Sequence, residues 1–442
     1  MLRCLRGISN LPGMSRRPLL AALALVLALA ACGGGEGGPT TTVPDSIDVA
    51  GLEGEISDLI TAAEEVRGLE FVVEPVITIV SGADLADRVR EQIETDLEPA
   101  DLAVAQRLYE ILGLLDGTID LRQAYLDLYA EQVGGFYDHE TGEMVIMGGS
   151  SLSPLSKSIV VHELVHALTD QHYAFAGLSD DLWDAEEFER VAAISSLAEG
   201  DATYFQLIYL QTLSTAEQLN AVTESMNVDT TVMDSLPAWF AQDLTFPYDF
   251  GFGFVERLIT DNDIAAVNQA YELLPMTTEQ ILHPEKYYLR EGALPVEIPA
   301  VDVPGYTVFE EGSFGEWNTR LFLLDGIEPG DAIVAAAGWG GDRYRIYWQG
   351  DEACTEACGG PVAFVFKYQG DTPRDAQELA DAIAASAHAI MKVGSARTPV
   401  DGVVTYTGGE DFAYVRITGE EVLFILTDDP AIGQLLVTGL TG

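Results

Sequence analysis

One pentapeptide constrains this chain more than any other feature: His162-Glu163-Leu164-Val165-His166. It lies between Ile159-Val160-Val161 and Ala167-Leu168, so an apolar run flanks it on both sides. That pattern predicts a buried helix, beginning near Pro154 because proline suits a first helical turn. On a helix, residues i and i+4 share one face a turn apart, which aims both imidazoles the same way. Two imidazoles so placed reach a single metal ion, and Glu163 stands beside the first of them. Zinc in that position polarises a water molecule, and the carboxylate takes its proton as it attacks a carbonyl. The chain has six histidines, and three of them (His162, His166 and His172) fall within eleven positions. That clustering favours a metal site over helix-packing histidines.

Two residues compete for the third ligand. His172 completes the spacing of the metzincin motif, which requires the helix to stop and turn after His166, normally through glycine. Thr169 stands where that glycine belongs, without glycine's access to positive φ. If the helix continues, His172 lies about 9 Å beyond His166 along the axis. The alternative is Glu199, in Ser196-Leu197-Ala198-Glu199-Gly200-Asp201-Ala202. A carboxylate from an antiparallel helix would complete a two-His, one-Glu zinc set with one position open. Gly200 would let that helix approach the first closely. Asp201 and Asp170 are candidate acceptors for a ligand imidazole N–H. Glu186, Glu187 and Glu189 are nearby alternatives for the ligand.

The front of the chain reads as an export signal. Residues 1–31 carry Arg3, Arg6, Arg16 and Arg17 and no acid, followed by an apolar run from Leu19 to Ala31. The run is short for a membrane span and follows a basic segment. It ends Leu29-Ala30-Ala31-Cys32, which resembles the lipobox of bacterial lipoproteins. That resemblance implies diacylation of Cys32 and a lipid anchor on the extracytoplasmic face of the cell-envelope membrane. Gly, Pro and Thr then form a tether. With 22 basic and 71 acidic residues, the net charge of -49 excludes nucleic acid as a partner.

Periodicity places helices at 52–66, 85–97, 100–115 and 121–132, a strand over 71–80, and a hairpin from Gly135-Phe136-Tyr137-Asp138 to Glu143–Met147. Pro75 makes the 71–80 strand an edge or irregular one. Further helices fall near 185–213, 252–258 and up to Leu274. A C-terminal set of strands (344–348, 363–368, 412–417 and 422–427) surrounds a helix at 375–390. The expected class is α+β: a mainly helical catalytic region with a short hairpin, plus a small C-terminal α+β module. The divisions are 1–31 signal peptide, 32–48 tether, 49–310 catalytic domain and 311–442 C-terminal module. Glu143–Met147 is a candidate edge strand for aligning a peptide. Candidate donors to an oxyanion are His172, Tyr204, His283, Tyr287, Arg343 and Tyr344. Cys354 and Cys358 are expected to pair in an exported chain.

The residues from His162 to His172, followed by Leu197-Ala198-Glu199-Gly200-Asp201-Ala202, resemble gluzincin-type zinc metallopeptidases. More narrowly they are similar to poorly characterised bacterial lipoproteins with the pattern His-Glu-Leu-x-His-Ala-Leu-x-Asp-Gln and a following Glu-Gly-Asp-Ala. Gly135-Phe136-Tyr137-Asp138, Leu282-His283-Pro284-Glu285-Lys286-Tyr287 and Gly338-Trp339-Gly340-Gly341-Asp342-Arg343-Tyr344 fit the same group. The likeness centres on 135–205 and extends more weakly to about 350. It implies a zincin-like fold, Zn2+ on His162, His166 and Glu199, Glu163 as catalytic base, and a peptide or protein substrate. A non-catalytic envelope peptide-binding lipoprotein and a cell-wall peptide amidase are the alternatives.

Overall fold

The computed structural model describes residues 23–25, 49–139, 141–149, 151–324, 326–354, 358–391, 402–408 and 411–442. Cys32 and the tether lie outside the described residues. The first elements are β1 (Leu23–Leu25), α1 (Val49–Arg67), β2 (Val76–Val80), α2 (Gly82–Asp96), α3 (Pro99–Ile111), α4 (Leu121–Gln132), β3 (Val133–Asp138) and β4 (Glu143–Met147). A run of helices follows: α5 (Pro154–Tyr173), α6 (Phe175–Asp184), α7 (Phe188–Thr212), α8 (Thr215–Ser225), α9 (Thr231–Ser235), α10 (Ala238–Asn262), α11 (Ile264–Glu272), α12 (Thr278–Leu282) and α13 (Pro284–Leu289). The remainder is β5 (Thr307–Gly312), α14 (Gly315–Leu323), α15 (Pro329–Ala336), β6 (Trp339–Trp348), β7 (Val362–Gly370), α16 (Pro373–Met391), β8 (Val403–Gly408), β9 (Asp411–Thr418), β10 (Glu421–Thr427) and α17 (Pro430–Thr441). The fold is mixed α+β, with a mainly helical core and two small sheets.

The first sheet has the order β1-β3-β4-β2. β4 therefore lies between two strands, antiparallel to β3 and parallel to β2, and its backbone groups are paired on both sides. This corrects the expectation that Glu143–Met147 forms an edge. The reason is β2, which begins directly after Pro75 and occupies the rim instead, where a proline-flanked strand belongs. Only the second half of the expected 71–80 strand forms. Gln171 of α5 holds the first half: its amide nitrogen donates to Val73 O at 2.9 Å, and its Oε1 accepts from the Val72 and Val73 amides at 2.9 and 3.0 Å.

The second sheet runs β5-β6-β7-β10-β9-β8, all antiparallel. Its side chains alternate as a strand period of two requires. Phe364 and Phe366 join the main core, while Val365 packs with Leu436 of α17 in a separate cluster. Cys354 and Cys358 are joined by a disulfide in the β6–β7 connection.

α5 is the spine of the helical part, and every residue from Ser158 to Thr169 is buried. β3, α1 and α7 pack around it. The helix expected only over 252–258 is the much longer α10. α10 contains Pro247, Gly251 and Gly253, residue types that disfavour a helix interior. The helix runs through them because its aromatic face is buried, with Phe246 and Phe250 packed on Trp317.

Candidate metal centre

Ser153 caps α5, its hydroxyl accepting from the Ser156 amide at 3.1 Å, and Pro154 occupies the first turn. The helix ends at Ala174, left-handed at φ 50°, whose N–H donates to Asp170 O at 2.7 Å. Thr169 is an ordinary helical residue within it, and its hydroxyl donates to Val165 O at 2.9 Å. The chain therefore does not turn where the metzincin spacing needs it to. His172 ends up exposed on the last turn, with Nε2 2.9 Å from Glu70 O, and takes no part in the cluster.

His166 meets Glu199 of α7, and Ser158, two turns earlier, reaches Gln206 through a hydrogen bond. The two helices thus run antiparallel, and their facing side chains bring three donor atoms together. His162 Nε2 is 3.1 Å from Glu199 Oε2 and 3.0 Å from His166 Nε2, and His166 Nε2 is 3.3 Å from the same carboxylate oxygen. All three residues are buried and form a group that can hold a metal ion. Three ligands around a tetrahedral zinc at about 2.0–2.1 Å stand about 3.4 Å apart. The observed triangle is within a few tenths of an ångström of that, and two imidazoles with a carboxylate match zinc's ligand preference.

Electrostatics agree with a cation site. Burial works to raise the Glu199 carboxyl, but the two imidazoles outweigh it and hold it at about 2. Burial pushes His162 down, against the pull of Glu199. Both effects favour the metal-binding forms of these two residues near neutrality: carboxylate for Glu199 and neutral imidazole for His162.

Comparisons with known proteins speak only to the other end of the chain. Residues 306–435 match the family model described as Domain of unknown function (DUF8575). That stretch holds the six-stranded sheet and none of the three cluster residues. No curated protein and no solved structure matches the chain.

The remaining expected residues have these partners in the structure. Gly200 does not face α5; it meets Gly251 of α10. Asp201, expected to accept from an imidazole, accepts through Oδ2 from Arg67 Nε and the Tyr271 hydroxyl, both at 3.0 Å, and interacts electrostatically with His166. Asp170 accepts from Tyr137 OH at 3.5 Å and from the Ala176 amide at 3.1 Å. Of the alternative acids, Glu189 accepts twice from Thr278 and Glu187 pairs with Arg190. Among the proposed donors, Tyr204 stacks on Phe252 and His283 pairs with Glu316 at 3.0 Å. Tyr287 donates to Leu273 O, Arg343 pairs with Glu311, and Tyr344 bonds Glu310. A second acidic group, Glu279, Glu291 and Asp371, is centred on Lys286 Nζ at 2.6–2.8 Å, so an ammonium already balances it.

Two further residues, which carry no motif of their own, adjoin the cluster. Gln206 Oε1 lies 3.2 Å from His162 Nδ1. It is seven residues after Glu199, hence on the same helical stripe, and that periodicity was the available signal. Tyr248 of α10 lays its ring along His162, with centroids 6.2 Å apart and planes 23° apart. No local pattern marks Tyr248, because its position depends on how α10 crosses α7.

Proposed function

We propose that this chain is a zinc-dependent endopeptidase. The observation that carries the proposal is the convergence of donor atoms from His162 and His166 of α5, the helix that also holds Glu163, with Glu199 of α7, all within 3.0–3.3 Å of one another. Zinc held by those three residues supplies Lewis acidity toward a peptide carbonyl and its attacking water. Glu163, adjacent to His162 and fully buried in α5, takes the proton of that water and returns it to the leaving amine. Tyr248, whose ring lies along that of His162, is the phenol to which we assign donation toward the developing oxyanion. The leader and Leu29-Ala30-Ala31-Cys32 support anchoring through lipid on Cys32, outside the cytoplasm. Among the described residues no helix is long and apolar enough to cross a membrane.

The decisive experiment is digestion of a mixed peptide library with the wild-type protein and Glu163→Gln, with zinc content measured for both. Zinc in both proteins, chelator-sensitive cleavage by the wild type, and loss of about 10²–10⁴-fold in the variant are expected. Undiminished cleavage by Glu163→Gln, or wild-type protein that binds no zinc, overturns the proposal. A zinc-loaded wild type without cleavage points to a binding role for the same scaffold.

A further inference from the structure

The two histidines of the cluster are held unequally. His166 Nδ1 is buried and has no hydrogen-bond partner among the described residues. His162 Nδ1 lies 3.2 Å from Gln206 Oε1; Gln206 Nε2 is 3.1 Å from Ser158 Oγ, and Ser158 Oγ is 2.8 Å from Leu155 O. Gln206 and Ser158 are themselves buried.

The direction of every proton in this chain follows from its far end. A backbone carbonyl can only accept, so the Ser158 hydroxyl donates its one proton to Leu155 O. The hydroxyl oxygen must then accept from its other partner, which makes that partner the amide nitrogen of Gln206. The amide oxygen is thereby turned toward His162 and can only accept, so Nδ1 of His162 carries a proton. A neutral imidazole has one N–H, and placing it on Nδ1 leaves the Nε2 lone pair aimed at Glu199 and His166.

We infer that Gln206, anchored by Ser158, is the positioning residue of the metal centre: it sets the tautomer and ring orientation of His162 before a metal arrives. The inference rests on the metal-site reading above. The partner here is an amide on the ligand-bearing helix α7, so Glu199 and the group that orients His162 move as one rigid unit.

The test uses the full chain with histidine ring nitrogens labelled with ¹⁵N, after chelator treatment. Long-range ¹H–¹⁵N spectra, with the His162 signals assigned through His162→Gln, are expected to show Nδ1 protonated and Nε2 bare. They are expected to show mixed tautomers in Gln206→Leu. Zinc affinity, measured by competition with a chromophoric chelator, is expected to fall about 10–100-fold in Gln206→Leu. Gln206→Glu, which keeps an acceptor oxygen toward Nδ1, should restore it to within about threefold of wild type. If Gln206→Leu fails to fold, the wild-type spectrum and the affinity of Ser158→Ala carry the test, the latter falling in the same direction. Nε2 protonated in the wild type, or unchanged zinc affinity in Gln206→Leu or Ser158→Ala, overturns the inference. Wild-type protein that binds no zinc overturns the metal-site reading instead, and the two failures are thereby distinguished.

Discussion

Gly200 and Gly251 meet backbone to backbone: a Cβ on Gly200 would stand 2.1 Å from the carbonyl carbon of Gly251, and one on Gly251 would stand 2.0 Å from Ser196 O. This contact lets α10 lie directly on α7 and brings Tyr248 against His162. Gly200→Ala forces the helices apart and is expected to cost about 1–3 kcal/mol, the range for overpacking a close-fitted core. Glu199 precedes Gly200, so weaker zinc binding should accompany the loss. Urea unfolding with and without added zinc checks both; a variant as stable as wild type would show that the crossing relaxes freely.

Arg67 and Asp201 form an ion pair at 3.0 Å with neither side chain exposed. Arg67 also donates to Asn268 Oδ1 at 2.9 Å, so the end of α1 is tied to α7 and α11 two residues beyond Glu199. Removing one member leaves an uncompensated buried charge. Arg67→Met should destabilise by about 3–5 kcal/mol, and Arg67→Met with Asp201→Leu should recover most of that. Chemical denaturation of the single and double variants measures it, and a double variant worse than the single would contradict the account.

His139, at the turn after β3, pairs with Asp180 of α6 at 2.8 Å. The hydrogen bond to Asp180 raises the imidazole above its usual value, with burial opposing. The folded value exceeds the unfolded value of about 6.5, so the pair's stabilisation is full below that pH and fades as pH rises through the folded value. The Tm difference between wild type and His139→Gln should therefore be widest in mild acid and shrink in alkali. A difference independent of pH would show that the pair acts without the imidazolium.

Zinc should leave as pH falls, because metal and proton compete for the same imidazole nitrogens. Glu199, held at about 2, remains ionised through that range, and burial delays protonation of His162. Bound zinc is expected to be complete at neutral pH and to fall below the usual imidazole range of about 6.5. Metal analysis after equilibration across pH checks it; zinc retained at about pH 4 would contradict a site built on two histidines.

The sequence alone determined what local physics can encode. The apolar run around His162 and His166 specifies a buried helix, and a period of 3.6 puts both imidazoles on one face. Threonine rather than glycine at 169 keeps that helix running past the point where His172 would have to turn inward. The antiparallel match of α5 with α7, which singles out Glu199 among several nearby acids, belongs to the tertiary structure. So do the pairing of Gln206 with His162, the placing of Tyr248 through the Gly200–Gly251 crossing, the capture of Asp201 by Arg67, and the internal position of β4. Each depends on which faces of distant segments come together, and such pairings are selected by burial and close packing over the whole core, while sequence periodicity reports only on neighbours along one element.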